Sequence, residues 1–461
     1  MTQEPTEFQD LFNYIDQRRD DSISRLIDYV RRPSISAQGV GMEETVAYLA
    51  ELLGRLGLAP QVLATGRWPA LLGRWTVAPD LPTVLLYGHY DVQPPDPLDA
   101  WITPPFEPAL RDGRIYGRGV GDNKGQHFAQ LLALETLLAC RGELPCNVLV
   151  LLDGEEEIGS PSLPDLVRDN RASLHADLVI TSDGPVHKSG RALVECGCRG
   201  VLSFELRARG ANRDLHSGNW GGVAPNPLWT LVHLLATMKN ERGEITIDGF
   251  HDDVLPLTPA ERAALAAWPE DVGEVLHDLE LERLDAPEGR SLAERLSAHP
   301  TLTINGLHGG YSGPGSKTVL PHTAVAKCDI RLVAAQRAED IFAKVCAHVR
   351  RYAPGVEVVW QGAMDPSKTP LDSPFLAPIC AAVEAARGET PLVVPALGGS
   401  LPDYVWTQIL GVPAFIVPYA NADEANHAPN ENLEIERFIG GIKTGAAMLT
   451  LLGRMALPKG V

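Results

Sequence analysis

The chain has 461 residues, 44% of them hydrophobic and 21% charged, and a formal net charge of -19 at pH 7. That length and balance predict a soluble globular protein of two or three domains with ample core, in which disorder is not expected. The negative charge opposes nucleic acid and anionic membranes as partners and fits a protein that handles small molecules.

The amino terminus, Met1-Thr2-Gln3-Glu4-Pro5, has neither a basic region nor an apolar core, so no signal peptide is expected. No run approaches the ~20 apolar residues of a membrane span. Seven Cys, an odd number scattered from Cys140 to Cys380, read as thiols of a reducing compartment, by default the cytoplasm. Cys196-Gly197-Cys198 lacks the spacing of a structural zinc site and reads as buried packing.

Residues 8–32 carry Leu11, Ile15, Ile23, Leu26, Ile27 and Val30 at largely helical spacing and stop at Pro33, which predicts one surface helix. Residues 42–58 repeat the pattern, with Gly57 near the end. Short strands at 61–63 and 70–75 precede the run 81–87, which is rich in Leu and β-branched residues and lacks polar alternation. Such a run suits a strand buried on both faces of a sheet between helices. His89 and Asp91 follow just past its end. Ligands of open α/β sheets bind outside the carboxyl ends of the strands, and a ligating imidazole usually gives its other N–H to a carboxylate, here Asp91. Taken alone, a loop His and a solvated Asp would explain the pair as well.

Residues 96–108, rich in Pro and holding Trp101 and Phe106, predict an ordered loop. The glycine-dense run Tyr116-Gly117-Arg118-Gly119-Val120-Gly121-Asp122-Asn123-Lys124-Gly125 opens a helix over about 125–139. It has neither the GxxxxGK[ST] spacing nor a GxGxxG directly after a buried strand, which disfavours phosphate binding. Glycines also let the backbone approach a metal closely, and Asp122 at the tip can bridge two ions; alone, it would serve equally as a carboxylate on a helix dipole. Residues 147–152 form a second buried run, ending in Asp153-Gly154-Glu155-Glu156-Glu157-Ile158-Gly159-Ser160. Consecutive carboxylates repel one another unless a cation is near or one stays protonated. Residues 178–182 form a third, ending in Asp183-Gly184-Pro185. Three apolar runs thus each deliver His, Asp or Glu at the corresponding end.

From residue 202 the pattern changes. Alternation over 202–209 and 324–333, helices at 225–238 and 338–352 and a strand at 356–360 describe a separate α+β domain. The charged stretch 241–299 reads as helical in part, with no role assigned. From 372 the first pattern returns: a helix at 374–387, the Gly398-Gly399-Ser400 turn, a strand at 412–417, the loop Asn426-His427-Ala428-Pro429-Asn430-Glu431 and a final helix over about 433–452. The expected architecture is an α/β catalytic domain with a largely parallel mixed sheet between helices, residues 1–199 and 372–461. Inserted in it is an α+β lid or dimerisation domain with an antiparallel sheet, residues 200–371.

His89, Asp122, Glu157, Asp183 and His427 together supply two imidazoles and three carboxylates, a donor set suited to Zn²⁺ and acceptable to Mn²⁺ or Co²⁺. His89-Tyr90-Asp91, the run 119–125, Glu156-Glu157-Ile158-Gly159-Ser160, Ser182-Asp183 and Asn426-His427 resemble, in order and spacing, one family. It is the co-catalytic zinc peptidase family of aminoacylase, acetylornithine deacetylase, succinyl-diaminopimelate desuccinylase and carnosine dipeptidase. The resemblance covers nearly the whole chain. Asp214-Leu215-His216-Ser217-Gly218, Gly221-Gly222, Asn226-Pro227 and Ser316-Lys317-Thr318-Val319-Leu320-Pro321 look closest to the carnosine dipeptidase-like branch.

Carried across by motif, the resemblance implies two zinc ions per subunit, bridged by Asp122, with His89 and Asp183 on one and Glu157 and His427 on the other. It makes Glu156 the general base and gives Glu155 no role, because the family pair stands directly before x-Gly-Ser. It implies a cis peptide after Asp122, where this chain has Asn123. His216, reaching a partner subunit's metals in a homodimer, would stabilise the oxyanion. Arg331, with the Gly399 backbone and the Ser400 hydroxyl, would hold a substrate carboxylate. The implied reaction is hydrolysis of a dipeptide or short peptide by activated water, with Glu156 shuttling the proton to the leaving amine. An N-acyl-amino-acid deacylase is the nearest alternative. A silent metal- or peptide-binding relative is opposed by the intact ligand set and Glu156, and a phosphohydrolase by the sparse basic residues around the motifs.

Overall fold

The computed structural model describes residues 7–284 and 289–456, so the amino-terminal pentapeptide lies outside the described residues. The chain divides into two compact units. The first comprises the described residues up to Gly197, Lys368–Pro395 and those from Pro402 onward; the second comprises Cys198–Ser367 and Ala396–Leu401. The segment Ala396–Leu401, within the stretch assigned from sequence to the first domain, groups with the second unit instead.

The first unit is built on an eight-stranded mixed sheet. Its order is Gln61–Leu63, Ala70–Trp75, Asn147–Asp153, Thr83–His89, Leu178–Thr181, Ala414–Ile416, Leu193–Glu195 and Leu392–Val394. Asn147–Asp153, Thr83–His89, Leu178–Thr181 and Ala414–Ile416 run parallel at its centre. Their unbroken apolar runs have a direct cause, because successive side chains point to opposite faces. Val84, Leu86, Val148, Val150 and Ile180 enter one core, whereas Leu85, Tyr87, Leu149, Leu151 and Val179 enter another.

Two local expectations change. Residues 8–32 fold as two helices, Gln9–Gln17 and Arg19–Val30, broken at Arg18 with φ -97° and ψ 9°. The polar stretch between Ile15 and Ile23 offers no apolar side chain to the core, so the apolar faces on either side dock separately. The strand read at 81–87 is Thr83–His89. His89 is therefore its last residue, held opposite Asp153 by pairing with the neighbouring strand, and not a residue beyond its end.

A small sheet of Asn432–Glu434, Arg114–Tyr116 and Ala109–Arg111 ties the end of the His427 loop to the entry of the glycine-dense turn.

The second unit carries a four-stranded antiparallel sheet in the order Thr301–Gly309, Thr323–Leu332, Gly200–Arg209 and Glu357–Met364. Alternate residues Leu202, Phe204, Leu206, Ala326, Cys328 and Ile330 are buried with Leu231, Leu234, Ile341 and Val345. The last four belong to the helices Pro227–Met238 and Ala338–Tyr352. Among its described residues, the stretch 241–299 holds three short helices, two of them started by capping boxes, Thr258 with Glu261 and Ser291 with Glu294. None of the seven cysteines is joined in a disulfide. Among the described residues, no helix is long and apolar enough to cross a membrane.

Candidate metal centre

The strands Thr83–His89, Asn147–Asp153 and Leu178–Thr181 run parallel, so their carboxyl ends lie side by side. His89 is fully buried there. Its Nδ1 lies 3.1 Å from the Asp91 carbonyl oxygen and 3.3 Å from Asp91 Oδ1, which places the ring proton on Nδ1 and leaves Nε2 as the free donor atom. Nε2 sits 3.1 Å from Asp122 Oδ1 and 3.5 Å from Asp183 Oδ2, yet it is buried without a well-directed hydrogen bond among the described residues. It points into the space between carboxylates, as the lone pair of a metal ligand does.

Asp122 Oδ2 lies 3.0 Å from His427 Nε2, and Glu157 Oε2 lies 3.2 Å from the same nitrogen. Two three-residue groups result, His89–Asp122–Asp183 and Asp122–Glu157–His427, each with its candidate ligand atoms within 4.8 Å of one another. They share Asp122, one oxygen facing each histidine. Imidazole nitrogens with carboxylate oxygens fit Zn²⁺ and equally Mn²⁺ or Co²⁺.

The ionisable groups of the site strongly perturb one another. Burial pushes the Glu156 carboxyl well above its usual range, and the charges of Asp183, Glu157 and Asp122 add to that. Glu157 is pushed up to about 7, mainly by burial and then by Asp122. Hydrogen bonds donated to the Asp122 and Glu157 carboxylates raise His427 to about 10. Burial disfavours a charged His89, but Asp122, Asp183 and Asp91 outweigh it and hold its pKa well above the ordinary value. A divalent ion held between these groups would offset the mutual repulsion of the carboxylates.

A family model for peptidases of family M20/M25/M40 matches residues 85–451. The chain belongs to this family. Human β-Ala-His dipeptidase is 28% identical over 98% of the chain and 94% of the relative. The Cys-Gly metallodipeptidase dug1 of Schizosaccharomyces pombe is 31% identical over 94% of the chain and 96% of the relative. Among solved structures, the M20 family metallo-carboxypeptidase Sso-CP2 from Sulfolobus solfataricus superposes with a TM-score of 0.88 at 34% identity, covering 94% of this chain and 99% of that one. The family read from the motifs, and its branch close to the β-Ala-His and Cys-Gly dipeptidases, are borne out.

In this M20 peptidase Asp91 serves three partners at once. Besides His89, it accepts the backbone N–H of Glu156 at 3.2 Å and that of Glu157 at 3.0 Å, which fixes the turn after Asn147–Asp153. Asp122 follows Gly121, where an added Cβ would meet Glu424 Oε2 at 2.3 Å. The Asp122–Asn123 peptide is cis. Asn123 Oδ1 faces the His127 Nδ1 at 3.2 Å and accepts the His89 backbone N–H at 3.4 Å, while its Nδ2 donates to the Ser182 carbonyl at 2.6 Å. It thereby links the ends of Thr83–His89 and Leu178–Thr181.

Arg331, Gly399, Ser400 and His216 belong to the second unit. Arg331 Nη1 donates to Ser400 Oγ at 2.8 Å, with Gly399 next in the chain. His216 is exposed; its Nδ1 accepts the Gly218 N–H at 3.0 Å and its Nε2 lies 3.4 Å from Thr318 Oγ1.

Motif reading gave Glu155 and Glu431 no role. Glu155 Oε1 accepts the Thr65 hydroxyl and the Arg67 and Trp68 N–H groups, and Oε2 accepts the Ser162 N–H. It is a structural tie for the loop before Ala70–Trp75. Glu431 accepts the N–H groups of Gly119, Gly121 and Asp122 at 2.8, 2.9 and 3.0 Å. Its carboxylate shapes the turn that presents Asp122. The only hint of this in sequence was an acidic residue near His427.

Proposed function

We propose that this M20 peptidase hydrolyses dipeptides or short peptides with two divalent metal ions, zinc by preference. His89, Asp122 and Asp183 would hold one, and Asp122, Glu157 and His427 the other. The observation that carries the reading is the division of Asp122 between His89 and His427, one oxygen to each at 3.1 and 3.0 Å. Bound there, the ions supply Lewis-acid activation of water and of the scissile carbonyl.

Glu156 is the general base. Its neighbours Glu155 and Glu157 have carboxyls engaged by several donors, whereas no hydrogen bond from a described residue engages the Glu156 carboxyl. A carboxyl so placed, and raised by burial, takes a proton from the attacking water and returns it to the leaving amine. Arg331, positioned by Ser400 Oγ, offers a forked cation for the substrate's terminal carboxylate. His216 completes the oxyanion site of a second subunit in a homodimer. The names of the relatives, β-Ala-His dipeptidase and Cys-Gly metallodipeptidase, support a dipeptide substrate.

The test is a panel of dipeptides, N-acetyl amino acids and a phosphodiester, assayed after exhaustive chelation and after reloading with Zn²⁺, Mn²⁺ or Co²⁺. Dipeptide turnover that vanishes on chelation and returns with metal is expected. Full activity in metal-free protein would overturn the dinuclear reading, and preference for N-acetyl amino acids would make the enzyme a deacylase.

A further inference from the structure

Four residues beyond His89, Gln93 grips one carboxylate with both its main chain and its side chain. Its backbone N–H donates to Glu157 Oε1 at 3.1 Å, and its Nε2 donates to Glu157 Oε2 at 2.9 Å and to the Glu157 carbonyl at 3.0 Å. Both amide protons of Gln93 are therefore committed to acceptors of a single residue. The orientation of the amide follows, since the flipped form would set its oxygen against two acceptors.

A carboxylate held at both oxygens does not rotate about its last torsion. With one lone pair of Oε2 taken by Gln93, the other is left to face the side on which His427 Nε2 lies 3.2 Å away. Such fixing matters most at this residue. His427 sits on a loop at φ 55° with a half-exposed side chain, so it offers little rigidity of its own. Asp91, two residues before Gln93, fixes only the backbone of the Glu156–Glu157 turn.

We propose that Gln93 is a positioning residue for the metal centre, holding Glu157 in the one orientation that serves the Glu157–His427 position; this rests on the dinuclear reading above. Outer partners of metal ligands commonly set affinity by ~10–100-fold, and loss of this one weakens one of the two metal positions and spares the other.

Two variants test this with metal affinity, not activity, as the readout. Gln93→Met keeps the length and the backbone N–H but removes both side-chain donors. Gln93→Glu keeps the shape and replaces the donor with an oxygen that repels Glu157. Zn²⁺ stoichiometry and affinity are measured by competition with a fluorescent chelator, alongside the melting temperature of the metal-free proteins. The expected result is two ions in the wild type, with one of them weakened ~10-fold or more in Gln93→Met and further in Gln93→Glu, while the metal-free melting temperatures stay together. Unchanged affinities, or equal weakening of both ions that tracks a lower metal-free melting temperature, would overturn the positioning role. A wild type that binds no zinc would overturn the dinuclear reading and this proposal with it, an outcome distinct from two ions bound equally well by all three proteins.

Discussion

Arg118 and Glu431 form a fully buried ion pair, Nη1 to Oε2 at 2.8 Å. Burial raises the Glu431 carboxyl, and Arg118 is the first influence that pulls it back. The same carboxylate receives three backbone N–H groups from the turn that ends in Asp122, so the pair is the scaffold of a proposed bridging ligand. Removing one partner of such a pair leaves an uncompensated buried charge, which costs ~3–5 kcal/mol. Arg118→Met is expected to lower stability by about that amount in urea denaturation of the metal-free protein. A loss under ~1 kcal/mol would mean that the three N–H donors alone satisfy Glu431.

The three consecutive glutamates separate by experiment as they do by hydrogen bonding. Glu156→Gln is expected to retain two metal ions and lose turnover by ~100-fold or more, as removal of a general base does. Glu157→Gln is expected to lose metal affinity first. Glu155→Gln keeps metal but leaves donors of the Thr65–Trp68 loop badly matched, costing ~1–3 kcal/mol of stability. Metal analysis, steady-state rates and thermal melts on the three variants decide it; a metal defect in Glu156→Gln with none in Glu157→Gln would move the base by one residue.

Much of this site was legible because it sits at the ends of strands whose two faces are both buried, which leaves unbroken apolar runs such as 147–152 with polar residues only at their ends. The strand Thr301–Gly309 escaped notice for the opposite reason: it is an edge strand, mostly exposed along its length, and shows no alternation. Pairing, not composition, carries Thr83–His89 on to His89, since the partner Asn147–Asp153 continues to Asp153. Glu431 and Gln93 were illegible as functional residues because their roles exist only in contacts made across the chain, with the turn at 119–122 and with Glu157.

Close packing beneath His89 gives a steric prediction. A Cβ on Gly88 would stand 2.6 Å from His127 Cβ and 3.0 Å from Asn123 Oδ1. Gly88→Ala must therefore displace the helix residue His127 or the end of the strand, at ~1–3 kcal/mol for overpacking. Lower thermal stability together with weakened metal binding is expected. A variant with wild-type melting and metal affinity would show that this contact yields freely.

Stability of the metal-free protein should fall between acid and neutral pH through Asp403. This carboxyl is fully buried and pushed up to about 7, chiefly by burial and then, against the hydrogen bond from Thr181, by the charge of Asp183. The unfolded chain loses the same proton near pH 4, so the contribution is complete below that pH and is lost as pH rises to about 7. Its ceiling is roughly 4 kcal/mol. Asp403→Asn is expected to flatten the decline in urea midpoints between pH 4 and 8 relative to the wild type. Parallel pH profiles for the two proteins would contradict a proton held at Asp403.

The remaining prediction concerns His216, which the family resemblance gives to a neighbouring subunit. Its ring is exposed and its partners are local, Gly218 and Thr318, so nothing in its own unit consumes its capacity to meet a substrate. Exposed edge strands such as Thr301–Gly309 pair readily with a copy of themselves under twofold symmetry, which offers a route to a homodimer. If His216 serves the partner's metals, His216→Ala and Glu156→Gln homodimers are each inactive, for different reasons. Mixing them places an intact Glu156 and an intact His216 at one site of each heterodimer, so activity should return toward about a quarter of the wild-type level with random exchange. Size-exclusion and mass measurements on tagged subunits would establish that exchange took place. Exchange without recovered activity would show that His216 acts within its own chain or not at all, and would remove the catalytic reason for a dimer.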